Sequence, residues 1–267
     1  MQLFVKDKNF YKRFFTMSLT IALQNLVVSS VNLADNVMLG GYSENALSAV
    51  ALVNQFQFLL QMFAIGLGDG VVVLASQYWG KRDMPVIRRI VSISVWVGIV
   101  ASILFWAVAF FFPDSCIRLF TNDEALILEG IPYMQIMSFS YLIFTASNIL
   151  IACLRSVETV RIGFITSVAA LVVNVCLNYV LIYGHFGAPR LGVSGAAIAT
   201  LIARVVEFVM VVAYTCLLYT SKSLLFYHFR FLISIENCRE GMSAFVFLIR
   251  FRNVEICCIL VMLQVYN

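Results

Sequence analysis

The sequence predicts an all-α polytopic membrane protein, a bundle of six transmembrane helices. Three observations carry that reading. Hydrophobic residues make up 62% of the 267 and charged residues 12%, with a mean hydropathy of +0.94, far from the roughly half-apolar, quarter-charged mixture of soluble domains. The apolar runs last about twenty residues, the length a helix needs to cross a bilayer. Strand alternation is absent, and these runs are about twice as long as a barrel strand, so helices are favoured over a closed sheet.

Six spans follow in order: Met17 to Leu39, Ala46 to Tyr78, Ile87 to Phe112, Pro132 to Leu154, Ile162 to Gly184, and Gly192 to about Leu218. The second is longer than a bilayer requires, so it tilts or extends beyond the membrane. Lys6, Lys8, Lys12 and Arg13 precede a full-length first span with no small-residue cleavage pattern, so that span is expected to stay as an anchor.

Basic residues set the orientation. Lys6, Lys8, Lys12, Arg13, Lys81, Arg82, Arg88, Arg89, Arg155 and Arg161 fall on one side, and only Arg118 and Arg190 on the other. The positive-inside rule then puts the N-terminus in the cytoplasm. The formal charge of +4 reports topology and contact with anionic lipid, not nucleic-acid binding. Asp114 to Glu129 reads as a short, acidic outer loop.

Asp35 is the residue that points to function. It stands in an otherwise uncharged apolar run, where an ionisable group costs several kcal/mol unless it faces a polar interior. Two readings are open: an ion or substrate path, or a carboxylate satisfied by its neighbours for structural reasons. Beside it, Asn25, Ser29, Asn32 and Asn36 follow one helical face, and Asn54, Gln57 and Gln61 repeat that spacing on the second helix. Two hydrophilic faces on helices joined by a short loop imply a shared wet cavity, although interhelical hydrogen bonding would also use such amides.

The fifth and sixth spans add oxygen donors. Asn174 and Asn178 are four apart, and Ala196, Thr200, Arg204 and Glu207 lie along one face, the last two close enough to pair. Asp35, Asn178 and Ala196 are each a few residues from the outer end of their helices, and Thr200 and Asn174 lie about one turn deeper. A carboxylate, two amides, a hydroxyl and a helix-start carbonyl at matching depth suit a hard cation such as Na⁺, with Asp35 the one charged ligand. Asp69 is expected to meet inner water or to pair with Lys81 or Arg82. Gly192, Gly195 and Ala196 are expected to permit close helix packing, since no phosphate-binding pattern surrounds them.

Several classes are disfavoured. Cys116, Cys153 and Cys176 show no paired metal spacing and read as small apolar packers. There is no paired-aspartate or His-Glu zinc motif, and His185 and His228 stand alone, so an enzyme is not expected, nor a bound cofactor beyond a coupling ion. From Lys222 onward, charges interrupt every apolar run. Cys216-Leu217-Leu218-Tyr219-Thr220-Ser221 resembles the translation of a transposon-end adapter used in sequencing libraries. Residues 1–215 are therefore read as the lobe, and 216–267 as an uncertain tail: an assembly artefact, or an amphipathic segment on the cytoplasmic face.

Five stretches together have a familiar form. ADNVMLGGYSENALSAVAL, ASQYWGKRD, LRSVETVR, NVCLNYVLIYG and LGVSGAAIATLIAR, in this order and spacing over about Met1 to Ala213, resemble the N-terminal lobe of the multidrug and toxic compound extrusion (MATE) family. The resemblance implies one of two six-helix lobes, working with a missing C-terminal lobe or a second copy. It implies a cell-membrane antiporter that expels drugs or organic cations against inward H⁺ or Na⁺. The family's cation site would fall on Asp35, Asn174, Asn178, Ala196 and Thr200, with Asn25, Asn32, Asn36, Asn54, Gln57 and Gln61 facing substrate. Two positions depart from the family: many members carry aspartate at Asn178, and at Thr20 many carry a proline that bends the first helix. The first departure favours proton coupling through Asp35, and the second removes the obvious hinge. A lipid-linked-precursor flippase of the same superfamily is the alternative, and would favour a cavity richer in arginine.

Overall fold

The computed structural model describes residues 8–187 and 189–223, with side chains through Thr215 apart from Phe186. Among these residues the regular structure is helical: α1 (Lys8–Gly40), α2 (Glu44–Gly80), α3 (Met84–Phe111), α4 (Pro113–Arg118), α5 (Glu124–Ser156), α6 (Arg161–Tyr183), a single 3₁₀ turn (His185–Gly187), and α7 (Gly192–Ser223). All but α4 and the turn are long and apolar enough to cross a membrane. The uncertain tail lies outside the described residues from Leu224 on, as do the side chains from Cys216.

The helices overrun the apolar spans for a physical reason. Hydropathy marks where the chain is in hydrocarbon, whereas a helix can continue through the interface on charged residues that are good helix formers. Thus α1 starts at Lys8, not Met17, and exposes Phe10, Phe14 and Phe15 beside Lys12 and Arg13, the amphipathic mixture that suits a headgroup layer. The largest correction is α5. Pro132 was expected to open it, but the helix begins at Glu124 behind an Asp123 cap, whose carboxylate accepts from the Ala125 amide at 2.9 Å. Pro132 is therefore interior.

The supposed outer loop also contains structure. Pro113 fits the first turn of α4, where a missing N–H costs nothing, and Pro113, Cys116 and Ile117 are buried. Arg118 holds the loop together on the surface, 2.9 Å from both Asp114 and Glu124. An exposed bracket of this kind is worth little in stability and serves mainly to order the connection.

The lobe is organised around α5. Its apolar window is 61% buried, against 11% for α1 and 22% for α3, so α5 is the spine and the other two face outward. On one side of it, Val71 and Ala75 of α2 and Ile87 and Val91 of α3 pack on Ile149 and Ala152. On the other, Ile162 of α6 and Val211 of α7 pack on Leu150, Ile151 and Leu154. Near the opposite membrane face a larger cluster joins the elements through Leu39, Val50, Ile127, Met134, Ile182 and Val193. Helix α1 leans chiefly on α6 and meets its sequence neighbour α2 at far fewer points.

Two glycines fix how α6 meets α7. Gly184 ends α6 with φ 74°, a left-handed turn that a residue with a Cβ adopts at a cost. The chain then returns so that the Leu191 amide donates to the Leu181 carbonyl at 3.0 Å. A Cβ at Gly195 would lie 2.7 Å from that same carbonyl oxygen and 2.9 Å from its carbon. The two backbones therefore touch, as the small-residue reading of this stretch expected. Gly195→Ala should lower unfolding stability by about 1–3 kcal/mol, because the obstacle is backbone that cannot rotate away. An unchanged thermal midpoint in detergent would show that the helices are not in backbone contact.

Candidate functional site

Asp35 is buried near the end of α1, with α6 and α7 supplying its partners. Asn174 and Asn178 are fully buried one turn apart on α6, and Thr200 is buried on α7. Asn178 Nδ2 donates to Asp35 Oδ1 and also to Asn174 Oδ1, the latter at 3.1 Å. Asn174 Nδ2 donates to Thr200 Oγ1 at 3.1 Å, and the Thr200 hydroxyl turns its proton toward Asp35 Oδ2 at 3.5 Å. Three helices thus meet in one closed cycle of hydrogen bonds around a single carboxylate.

The cycle leaves one group over. Asn178 Oδ1 is buried and has no partner among the described residues. The amide cannot be turned to relieve it, because that would set two acceptor oxygens against each other at Asp35. Asp35, Asn174, Asn178 and Thr200 together offer oxygen ligands with one formal negative charge. That donor set suits H⁺ or Na⁺ in chemistry, and lacks the histidines and thiolates of a transition-metal site. Ala196 stands one turn before Thr200 on the same helix, buried in the apolar core with Leu39 and Ile182.

Directly beside the cycle, Asn174 and Thr200 share a gap of ≈ 10 Å³ with Arg204 and Glu207, room for about one water. Arg204 and Glu207 pair at 2.9 Å, as their spacing suggested, and the guanidinium lies 5.0 Å from the centre of the Phe144 ring. Glu207 is only 4% exposed. Arg204→Leu should therefore destabilise the lobe by about 3–5 kcal/mol, the cost of leaving a buried charge unpaired. The double replacement of Arg204 and Glu207 by leucine should recover most of that loss. Unfolding of the three variants in detergent checks this, and simple additivity would show that the pair is not coupled.

The amides expected to face substrate lie elsewhere. Asn25, Asn32 and Asn36 are exposed on α1, and Asn54, Gln57 and Gln61 are half-buried on α2. None of the six lines the gap beside the cycle. Asp69 is also exposed, and it forms no ion pair with Lys81 or Arg82 among the described residues.

A second polar junction was not legible in the sequence. Gln24 Oε1 accepts from Arg155 at 3.0 Å and Gln24 Nε2 donates to Ser167 at 3.5 Å, tying α1 to α5 and α6. Gly163 provides the seat, since a Cβ there would lie 2.8 Å from Gln24 Oε1. Arg155 counted only as a topology marker, and Gln24 falls one residue off the amide stripe, so neither stood out. At Thr20, the hydroxyl donates to the Thr16 carbonyl at 2.8 Å, and α1 runs unbroken where a proline would interrupt it.

A lobe of six membrane-crossing helices, in whose interior an acid, two amides and a hydroxyl from three helices meet, defines a polytopic membrane protein with a candidate site at that junction. Comparison with known proteins gives the family. The MatE family model matches residues 20–180, and the chain belongs to the MatE family. It is 27% identical over 204 residues to "Probable multidrug resistance protein NorM" of Agrobacterium fabrum, covering 76% of this chain and 44% of that protein. With the protein of the same name in Rhizobium meliloti, identity is 30% over 172 residues, 64% of this chain and 37% of the relative. Among solved structures, the outward-facing conformation of a multidrug resistance MATE family transporter shares its fold at a TM-score of 0.69 and 22% identity, over 76% of this chain and 44% of that one. The chain thus spans less than half the length of these relatives.

Proposed function

We propose that this chain is one lobe of a cation-coupled antiporter that exports drugs or organic cations across the plasma membrane, with its N-terminus in the cytoplasm. The observation that carries the proposal is the buried Asp35 in its cycle with Asn174, Asn178 and Thr200, which gives the lobe one site where a coupling ion can be exchanged. The surface stripes of amides on α1 and α2 support a second lobe. Polar side chains exposed on membrane helices are costly against lipid, so they suit a water-filled hollow completed by a C-terminal lobe or a second copy.

In this reading H⁺ or Na⁺ entering from outside neutralises Asp35 and weakens its hold on a cationic drug in the hollow, so the drug leaves outward. Return of the ion to the cytoplasm restores the charge, and rocking of two lobes completes the cycle. The oxygen-only donor set with one carboxylate fits a proton at least as well as Na⁺. No feature of the site favours the flippase alternative, since the amide-lined faces carry no arginine.

The test uses proteoliposomes containing the 267-residue chain, loaded with ethidium and exposed to an imposed pH or Na⁺ gradient. Ethidium should move against the ion that drives it through a pair of copies, and ethidium flux that occurs equally with and without either gradient would refute coupling.

A further inference from the structure

A separate cavity lies away from Asp35, at the end where α1 and α6 begin and α5 finishes. Its volume is ≈ 660 Å³, within the range that holds a small ligand. Lys12, Arg13 and Arg161 line it, together with Thr159, Tyr214 and one acid, Glu158. Among the described residues none of the three cations forms an ion pair, whereas Arg118 and Arg204 do. Three positive charges from two helices, without an ion pair among the described residues, therefore face one hollow against a single carboxylate of its lining.

The backbone adds to this balance. Helix α6 opens at Arg161 on the cavity wall, and Val160 before it supplies no side-chain cap, so the first amides of α6 remain available to an acceptor. The α5–α6 turn holds the wall in place, with the Thr159 amide donating to Leu154 at 2.9 Å and Glu158 at φ 62°. Thr16 and Met17, where the apolar span begins, also border the hollow, which puts it at headgroup depth. Donors of this number and kind match a phosphate group.

We propose that this cavity binds a phosphate-bearing anion, presented by the adjoining leaflet as the headgroup of an anionic phospholipid. The site is independent of Asp35 and of transport. Binding there would fix the start of α1 against α6 and α7 at the basic end of the lobe.

The test is native mass spectrometry of the full chain released from mixed phosphatidylglycerol and phosphatidylcholine micelles. The wild type should retain phosphatidylglycerol preferentially. Lys12→Gln, Arg13→Gln and Arg161→Gln should each weaken retention by roughly fivefold, the effect of one cation near a charged lipid, and the triple variant should lose the preference. Glu158→Gln should shift retention the other way, which keeps the outcome readable if the triple variant folds poorly. Removing Lys81, Arg82 and Arg89 together, an equal charge at another basic cluster, should leave it unchanged. Millimolar inorganic phosphate that displaces the lipid from the wild type only would support the same site with a soluble anion as a further source. Equal retention of the two lipids, or equal losses from both charge-removal triples, would overturn the proposal.

Discussion

Asp35→Asn is expected to abolish gradient-driven ethidium movement while the protein still inserts and folds. The replacement keeps the shape of the side chain and an oxygen that can accept from Asn178 Nδ2, so the cycle with Asn174 and Thr200 can persist. A hydrogen bond to a charged acceptor is worth about 1 kcal/mol more than one to a neutral acceptor, and the variant no longer buries a charge, so the two effects oppose each other. What disappears is the only formal charge in the donor set, and with it the means of exchanging an ion. The companion measurement is unfolding in Na⁺ against choline, and at pH 6 against pH 8. An ion at about 100 times its Kd contributes about 2.7 kcal/mol, and that increment should vanish in the variant. Ethidium flux at the wild-type level would refute the role assigned to Asp35.

Asn178→Asp should have the second large effect, with opposite signs in the presence and absence of a cation. Asn178 donates to both Asp35 and Asn174. An aspartate there would donate to neither when ionised, and would set a like charge against Asp35. Two unit charges about 4 Å apart repel by about 4 kcal/mol at an effective dielectric of 20. Without a bound ion the variant should be markedly less stable than the wild type at pH 8. With Na⁺ the second carboxylate becomes a ligand, and affinity should rise at least about tenfold, or 1.4 kcal/mol. The lobe would then depend on Na⁺ for its stability, a dependence read directly from melting curves in Na⁺ and choline. Matching curves in the two salts would show that Asn178 does not border an ion site.

The sequence made the spans legible and their ends less so. Among the described residues, hydropathy located each of the six helices long and apolar enough to cross a membrane, since twenty apolar residues have no other stable solution in lipid. It could not show that α1 and α5 continue eight or nine residues further, because the charged residues of those extensions, Lys8, Lys12 and Arg13 of α1 and Glu124 and Glu129 of α5, read as loop. Pro132 is the clearest instance: a proline signals the start of a helix or a tolerated interior position, and only the Asp123 cap decides between them.

The site was legible to a similar degree. Counting residues from helix ends grouped Asp35 with Asn174, Asn178, Ala196 and Thr200, because depth in a bilayer is nearly a one-dimensional coordinate; the four polar side chains do meet, whereas Ala196 packs in the apolar core. Which neighbour each amide meets is a matter of helix azimuth, and there the sequence was silent. The same silence applies to the stripes on α1 and α2. Periodicity shows that Asn25, Asn32 and Asn36 share a face, but not that the face lies on the outside of the lobe.

The close approach of Gly195 to Leu181 has a mechanical corollary. With their backbones in contact, α6 and α7 form a stiff pair, so Asn174, Asn178 and Thr200 travel as a single rigid jaw. Asp35 belongs to the least embedded helix of the lobe, moored to that jaw by its own carboxylate, by Tyr183 Oη donating to the Met38 carbonyl at 2.9 Å, and by the Gln24 junction. Any ion that loosens the carboxylate mooring leaves the last turns of α1 held by Tyr183 at Met38 and its midpoint by Gln24, so the segment between them is the part freed to bend.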